Sequence, residues 1–247
     1  MNWNQIVNKI KPHVVKIKTP TGSGTGFLFM YNHDKSWCGI ATANHVVSDI
    51  DEWKQPLKFI HQSSNKIEHY IEDKNRVIIC DPSNDSAVIL FHKPDELILP
   101  TEPIRLRPLE EKLDIGSEVG WVGYPYLGEN TLCFFSGNIS ARNDEKNHYL
   151  VDGVAINGVS GGPVLYSSET NGVEIIGIMC AYMANRATGS TLPGLSVAQD
   201  VFHLHKSVAM IKDIDEARRK KEDLKKESKN DETVKIQEDQ PTPQTTQ

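Results

Sequence analysis

From Val14 to about Ala198 the chain is a succession of short apolar runs, each cut off by Gly, Pro, Asn or Asp. Val14-Val15-Lys16-Ile17, Gly26-Phe27-Leu28-Phe29, Val77-Ile78-Ile79-Cys80 and Ala87-Val88-Ile89-Leu90-Phe91 form a first group. Glu118-Val119-Gly120-Trp121-Val122, Thr131-Leu132-Cys133-Phe134-Phe135, Tyr149-Leu150-Val151 and Glu174-Ile175-Ile176-Gly177-Ile178-Met179 form a second. Such runs are too short for buried helices and rich in β-branched and aromatic residues. With turn signals between them they predict an all-β sandwich or barrel, not alternating strands and helices. The Pro-rich, charged stretch from Pro100 to Gly116 lacks strand pattern and reads as the link between the two groups.

The ends of the chain follow other rules. Ile6, Val7 and Ile10 have helical spacing that stops near Pro12, which predicts a short N-terminal helix. Val201, Leu204, Val208 and Ile211 recur at intervals of 3, 4 and 3, which predicts a closing helix over 201–227. From Ser228 the chain is polar and ends in Pro-Thr-Pro-Gln-Thr-Thr-Gln, so residues 228–247 are expected to be disordered. The expected division is 1–105, 106–200, the helix, and this tail.

Charge and composition exclude several function classes. A formal net charge of -6 argues against a nucleic-acid partner, which normally meets a basic face. No run approaches the roughly 18 apolar residues of a membrane span, and Met1 to Lys18 lacks the apolar core of a signal peptide. Cys38, Cys80, Cys133 and Cys180 are widely separated and form no Cys-x-x-Cys pair, so they read as buried free thiols. The expected location is cytoplasmic. No zinc-ligand, phosphate-loop or dinucleotide pattern is present in the sequence, and no cofactor or metal is expected.

The most specific local signal is Asn157-Gly158-Val159-Ser160-Gly161-Gly162-Pro163. A nucleophilic serine needs a tight turn that presents its Oγ and aims backbone N–H groups at one point. Flanking glycines permit the backbone angles and the close approach of substrate. The N–H groups of Gly158 and Ser160 are the expected oxyanion hole; a plain glycine-rich hairpin is the competing reading. Ala41-Thr42-Ala43-Asn44-His45-Val46-Val47 brings a histidine to a strand end, and Asp85 opens the buried run that follows it. Taken singly, such a histidine is most simply a core or loop residue and such an aspartate a turn cap.

Together these segments resemble the trypsin-like serine peptidases, and most closely the bacterial HtrA-like branch. Thr42-Ala43-Asn44-His45 resembles the histidine motif, Asp85-Ser86-Ala87 the aspartate strand, and Gly158-Val159-Ser160-Gly161-Gly162-Pro163 the nucleophile motif. Gly22-Ser23-Gly24-Thr25-Gly26-Phe27 resembles the strand that precedes the histidine, and the order His, Asp, Ser is that of the family. Over about Ile6 to Lys206 the resemblance implies two packed six-stranded antiparallel β-barrels of the chymotrypsin-like kind. It implies His45, Asp85 and Ser160 as a triad that hydrolyses polypeptide substrates.

The same resemblance places Val154, Ala155, Cys180, Ala181 and Tyr182 around the primary substrate pocket, with Gly194 and Ser196 on its far wall. Val154 stands where a carboxylate would select basic residues, so cleavage after small or medium apolar residues is expected. Val159 stands where relatives activated by cleavage carry an acidic residue, which argues against that form of activation. Two alternatives stay open: a site always assembled, and one whose loops are ordered by a protein partner or by substrate. The segment after Lys206 is too short and polar for the PDZ domain that HtrA-like proteins commonly carry. The competing functions are an inactive or partner-gated binding module on the same fold and a small-ester hydrolase.

Overall fold

The computed structural model describes residues 2–63, 68–126, 130–184 and 191–238, with 182–184, 191–193 and 222–238 described as backbone only. A compact body spans Met1–Val208, and Ala209–Gln247 forms a second unit.

Helix α1 (Trp3–Ile10) starts from a capping box in which Asn2 accepts from Gln5 N–H and Gln5 accepts from Asn2 N–H. It buries Ile6 and Ile10, the helical pair read from the sequence. The strands that follow are β1 (Val14–Lys18), β2 (Ser23–Tyr31) and β3 (Trp37–Thr42). Helix α2 (Asn44–Glu52) then leads to β4 (Leu57–Ile60), β5 (Glu68–Ile71), β6 (Arg76–Asp81) and β7 (Ser86–His92). All seven strands lie in one antiparallel sheet in the order β5-β4-β1-β2-β3-β7-β6.

Its core gathers Ile17, Leu28, Ile40, Phe59, Ile89 and Phe91, with Val47 and Ile50 of α2 packed on it. The two rings of Phe59 and Phe91 lie 5.0 Å apart, a favourable aromatic spacing.

The second strand group comprises β8 (Glu118–Gly123), β9 (Cys133–Asn143), β10 (His148–Asp152), β11 (Pro163–Ser168), β12 (Gly172–Ala184) and β13 (Thr191–Asp200). These close into a six-stranded barrel in the order β10-β13-β12-β11-β8-β9. Trp121, Val151, Val164, Ile176 and Met179 fill it. The fold is therefore chymotrypsin-like, with one closed barrel and one half-barrel sheet. Among the described residues β5 and β6 are not paired with each other, so the first sheet stays open there. At that edge the Arg76 guanidinium donates to the carbonyls of Ile71 in β5, Ile50 in α2 and Gln55 ahead of β4.

α1 leads into the first strand group and docks on the second through Trp3, whose indole N–H donates to Glu118 at 2.7 Å while its ring packs 5.2 Å from Phe134. Helix α3 (Phe202–Glu238) follows β13 directly and so continues past Ser228. Residues 239–247 of the expected tail lie outside the described residues. No helix among them is long and apolar enough to cross a membrane.

Three buried histidines, His13, His61 and His69, meet where α1 turns into β1 beside β4 and β5. His13 Nε2 lies 3.0 Å from Glu102 O, and His61 Nε2 lies 2.9 Å from Pro12 O. Burial holds His13 and His61 below the ordinary value of 6.5, and His69 and His13 push His61 down further. The unfolded chain therefore takes up these protons at a higher pH than the folded one. Stability is full above pH 6.5 and falls as pH drops through the folded-state values, by at most about 1.4 kcal/mol per pH unit for each histidine. Urea denaturation between pH 7.5 and 5 is expected to show this slope, and His61→Gln to flatten it. An unchanged slope in the variant would place the acid sensitivity elsewhere.

Candidate active site

β3 ends at Thr42, and the chain enters α2 with Ala43 as an N-cap that offers no side-chain hydrogen bond. The first turn of a helix leaves N–H groups without intrahelical partners. Here Asp85 supplies one: its Oδ1 accepts the His45 N–H at 3.0 Å. The same carboxylate faces the His45 ring, with Nδ1 3.0 Å from Oδ1 and 2.8 Å from Oδ2. A carboxylate at a helix start is also favoured by the helix dipole. His45 is thus fixed at backbone and ring by one side chain, and a tautomer with the proton on Nδ1 leaves Nε2 as the basic nitrogen. Both groups remain partly open to solvent.

Asp85 sits where a one-turn 3-10 segment (Pro82–Asn84) meets β7, in the left-handed backbone region at φ 44° and ψ 45°. That conformation is strained for a residue with a Cβ and persists only where surroundings fix it. Asp81 accepts from Asn84 N at 3.2 Å and Nδ2 at 2.7 Å, holding the turn from below.

Ser160 lies on the turn before β11. Gly158 and Gly161 take φ of +93° and +88° on either side, which side chains seldom tolerate. A Cβ on Gly161 would stand 2.0 Å from Thr25 O and 2.3 Å from Thr42 Oγ1. The turn is pinned from both strand groups: Thr25 N–H donates to Ser160 O at 2.8 Å, and Gly161 N–H to Met179 O at 2.7 Å. Thr25 Oγ1 donates to Gly158 O at 2.8 Å and accepts from Tyr124 N–H at 2.9 Å. Asn157 O accepts from Tyr126 N–H at 2.9 Å. Among the described residues, the N–H groups of Gly158 and Ser160 make no hydrogen bond.

Ser160 Oγ donates to Cys180 O at 3.2 Å, and no hydrogen bond to His45 is present among the described residues. Cys180 Sγ in turn donates to Asp85 O at 3.4 Å. Burial, reinforced by the nearby Asp85 charge, raises the Cys180 thiol well above its usual range, so it stays protonated as a donor. His45, Asp85 and Ser160 are therefore brought to one place by α2, the 3-10 turn and the β11 turn, with Cys180 between Asp85 and Ser160.

Residues 24–178 match the family model of the trypsin-like peptidase domain. The chain belongs to the trypsin-like peptidases. Solved trypsin-like folds agree with its architecture. An inactive-form, serine-to-alanine mutant of Rv3671c from M. tuberculosis superposes with TM-score 0.58 at 20% identity over 85% of this chain and 91% of that one. The serine endoprotease from Yersinia pestis gives TM-score 0.60 at 23% identity over 86% and 67%. Deg5 gives 0.59 at 21% over 82% and 90%. At these identities the likeness is one of fold. No curated protein sequence matches the chain.

In this trypsin-like peptidase the residues read as the substrate pocket lie close to Ser160 in sequence and on the strands beside it. Val154 is half exposed, with its carbonyl 3.2 Å from the Trp121 indole N–H. Ala155 packs against the barrel core, and Ala181 is exposed on β12. Gly153 N–H donates to Gly194 O at 2.7 Å, and Ser196 Oγ donates to Gly153 O at 2.7 Å, which ties the 153–154 segment to β13. Cys180 directs its sulfur at Asp85, and the Tyr182 side chain lies outside the described residues. Val159 is fully buried in the barrel core. No group of three or more His, Cys, Asp or Glu suited to a metal ion occurs among the described residues.

Thr25 is the site residue that sequence patterns did not single out. Its only signal is a hydroxyl amid glycines on a buried strand. Thr25→Val keeps the shape but leaves Gly158 O and Tyr124 N–H without their partner, at a cost of about 2–4 kcal/mol. Thermal unfolding is expected to show that loss, and labelling of the protein by a fluorophosphonate to slow with it. A variant that labels at the native rate would remove Thr25 from the support of the turn.

Proposed function

We propose that this trypsin-like peptidase is a serine endopeptidase in which His45, Asp85 and Ser160 form the catalytic triad, with Gly158 and Ser160 N–H as the oxyanion hole. The observation that carries the reading is the Asp85 carboxylate held against both the backbone N–H and the ring Nδ1 of His45. That arrangement fixes one tautomer and stabilises an imidazolium when His45 gains a proton.

Ser160 Oγ attacks the scissile carbonyl carbon as its proton passes to His45 Nε2. The carbonyl oxygen becomes an oxyanion between the Gly158 and Ser160 N–H groups. Collapse breaks the C–N bond, and His45 returns the proton to the departing amine. Water, deprotonated by His45, then attacks the acyl carbon, and the Ser160 oxygen leaves and regains its proton from His45. General base assistance of this kind is worth roughly 10²–10⁴-fold, and an oxyanion donor about 10²–10³-fold. The absence of a carboxylate at Val154 supports cutting after small or medium apolar residues. The four free cysteines support a cytoplasmic setting.

A gated form of the same site is favoured by one observation: Ser160 Oγ engages Cys180 O instead of His45. In this reading Ser160 Oγ must leave Cys180 O for His45 Nε2, and bound substrate or a protein partner would favour that change.

A fluorophosphonate probe separates these readings. The wild type is expected to label and Ser160→Ala to be blank. Labelling only after peptide is added supports gating, and no labelling under either condition overturns the endopeptidase reading. Cleavage of a peptide library is expected to fall after small or apolar residues; dominant cutting after Arg or Lys would overturn the pocket assignment.

A further inference from the structure

The left-handed backbone at Asp85 is steadied by groups from the far end of the body. Gln199 of β13 brings its Nε2 to 3.4 Å from Asn84 Oδ1, while the same amide donates to Asn147 O at 2.7 Å. His203, on the first turn of α3, has its Nδ1 2.8 Å from Ser86 Oγ. Both members of that second pair are buried, Ser86 completely. Asn84 and Ser86 are the immediate neighbours of Asp85, so the residue is gripped on both sides in sequence by the segment Gln199–His203.

The grip has a geometric purpose. Asp85 must present both carboxylate oxygens to His45 from a backbone region that a residue with a Cβ enters at a cost. Among the described residues its own N–H makes one long bond, 3.4 Å to Pro82 O, and its carbonyl is met by a thiol, a weak donor. The hydrogen bond on Ser86 is shorter than either. It lies inside the protein, where water does not compete and an unmade partner is costly. Burial also holds the His203 ring below its ordinary value and so keeps it neutral near pH 7.

We propose that His203 is a positioning residue for the triad: through Ser86 it holds Asp85 in the conformation that aligns its carboxylate with His45. The inference rests on the reading of Asp85 as a triad member. His203 touches neither substrate nor the reacting atoms, so its loss acts on the His45–Asp85 hydrogen bond and through it on turnover.

The proton on Nδ1 of a histidine bonded to a carboxylate gives a low-field NMR resonance, which reads this hydrogen bond without any turnover. The signal is expected in the wild type and absent in Asp85→Asn, which assigns it. His203→Ala is expected to broaden or remove it and to lower kcat by roughly tenfold with KM within twofold. His203→Asn, whose amide reaches the Nδ1 position, is expected to restore the signal and most of kcat. Ser86→Ala removes the same hydrogen bond from the other partner and carries the test if His203→Ala does not fold. Retention of signal and kcat in His203→Ala, or in Ser86→Ala if the former is unfolded, overturns the proposal. So does a loss of kcat that His203→Asn fails to restore. Fluorophosphonate labelling of the wild type reads the peptidase assignment separately. A wild type that does not label removes that assignment while the proton signal still reports on His203.

Discussion

Where the turn bearing Ser160 meets β2 and β3, Gly161 stands within 2.0–3.0 Å, by its would-be Cβ, of Thr25 O, Thr42 Oγ1 and Ala43 N. The half-barrel and the barrel meet at a point where no side chain fits. That contact sets Thr25 N–H on Ser160 O and Thr25 Oγ1 on Gly158 O, and it places the end of β3 against the turn bearing Ser160. Because β3 runs straight into α2, the same contact fixes how far His45 can be from Ser160. Any atom added at Gly161 would separate the strand groups, and the hydrogen bonds that shape the turn would be lost together.

Within that frame the site is built from backbone groups left over by secondary structure. The first turn of α2 has an N–H that its own N-cap does not serve, and the strained turn before β7 has a carboxylate needing a fixed partner. Each satisfies the other at His45 N and Asp85 Oδ1. The ring interaction is then reached with little further ordering, since both backbones are already held. Cys180 completes the triangle by accepting from Ser160 at its carbonyl and donating to Asp85 from its sulfur.

What was legible in the sequence was local. The turn Gly158–Gly162 can be read because glycine best serves its backbone angles, and β8, β9, β10 and β12 because each carries an apolar, β-branched or aromatic run. β3, Trp-Cys-Gly-Ile-Ala-Thr, was hidden by its small residues, which are there for close approach: a Cβ on Gly39 would meet Met30 and Phe29. β4 and β5 were too short to stand out. α2 gave no start signal because the first-turn N–H of His45 is served by Asp85, 40 residues further along the chain. The supports from Thr25, Cys180 and His203 depend on strand order and register, which no local pattern carries.

The open edge of the first sheet has a bearing on how the chain can vary. In a closed barrel a strand that slips by one residue turns its whole apolar set outward. At that edge Arg76 of β6 reaches the carbonyls of Ile71 in β5, Ile50 in α2 and Gln55 ahead of β4, and a side chain of that length has no period of two to respect. The link at residues 72–75 can therefore gain or lose residues without reversing the faces of β6, so long as Arg76 still reaches inward. The core lies on strands whose register is fixed by their other neighbours, so length can change at this corner without turning the core's apolar faces outward.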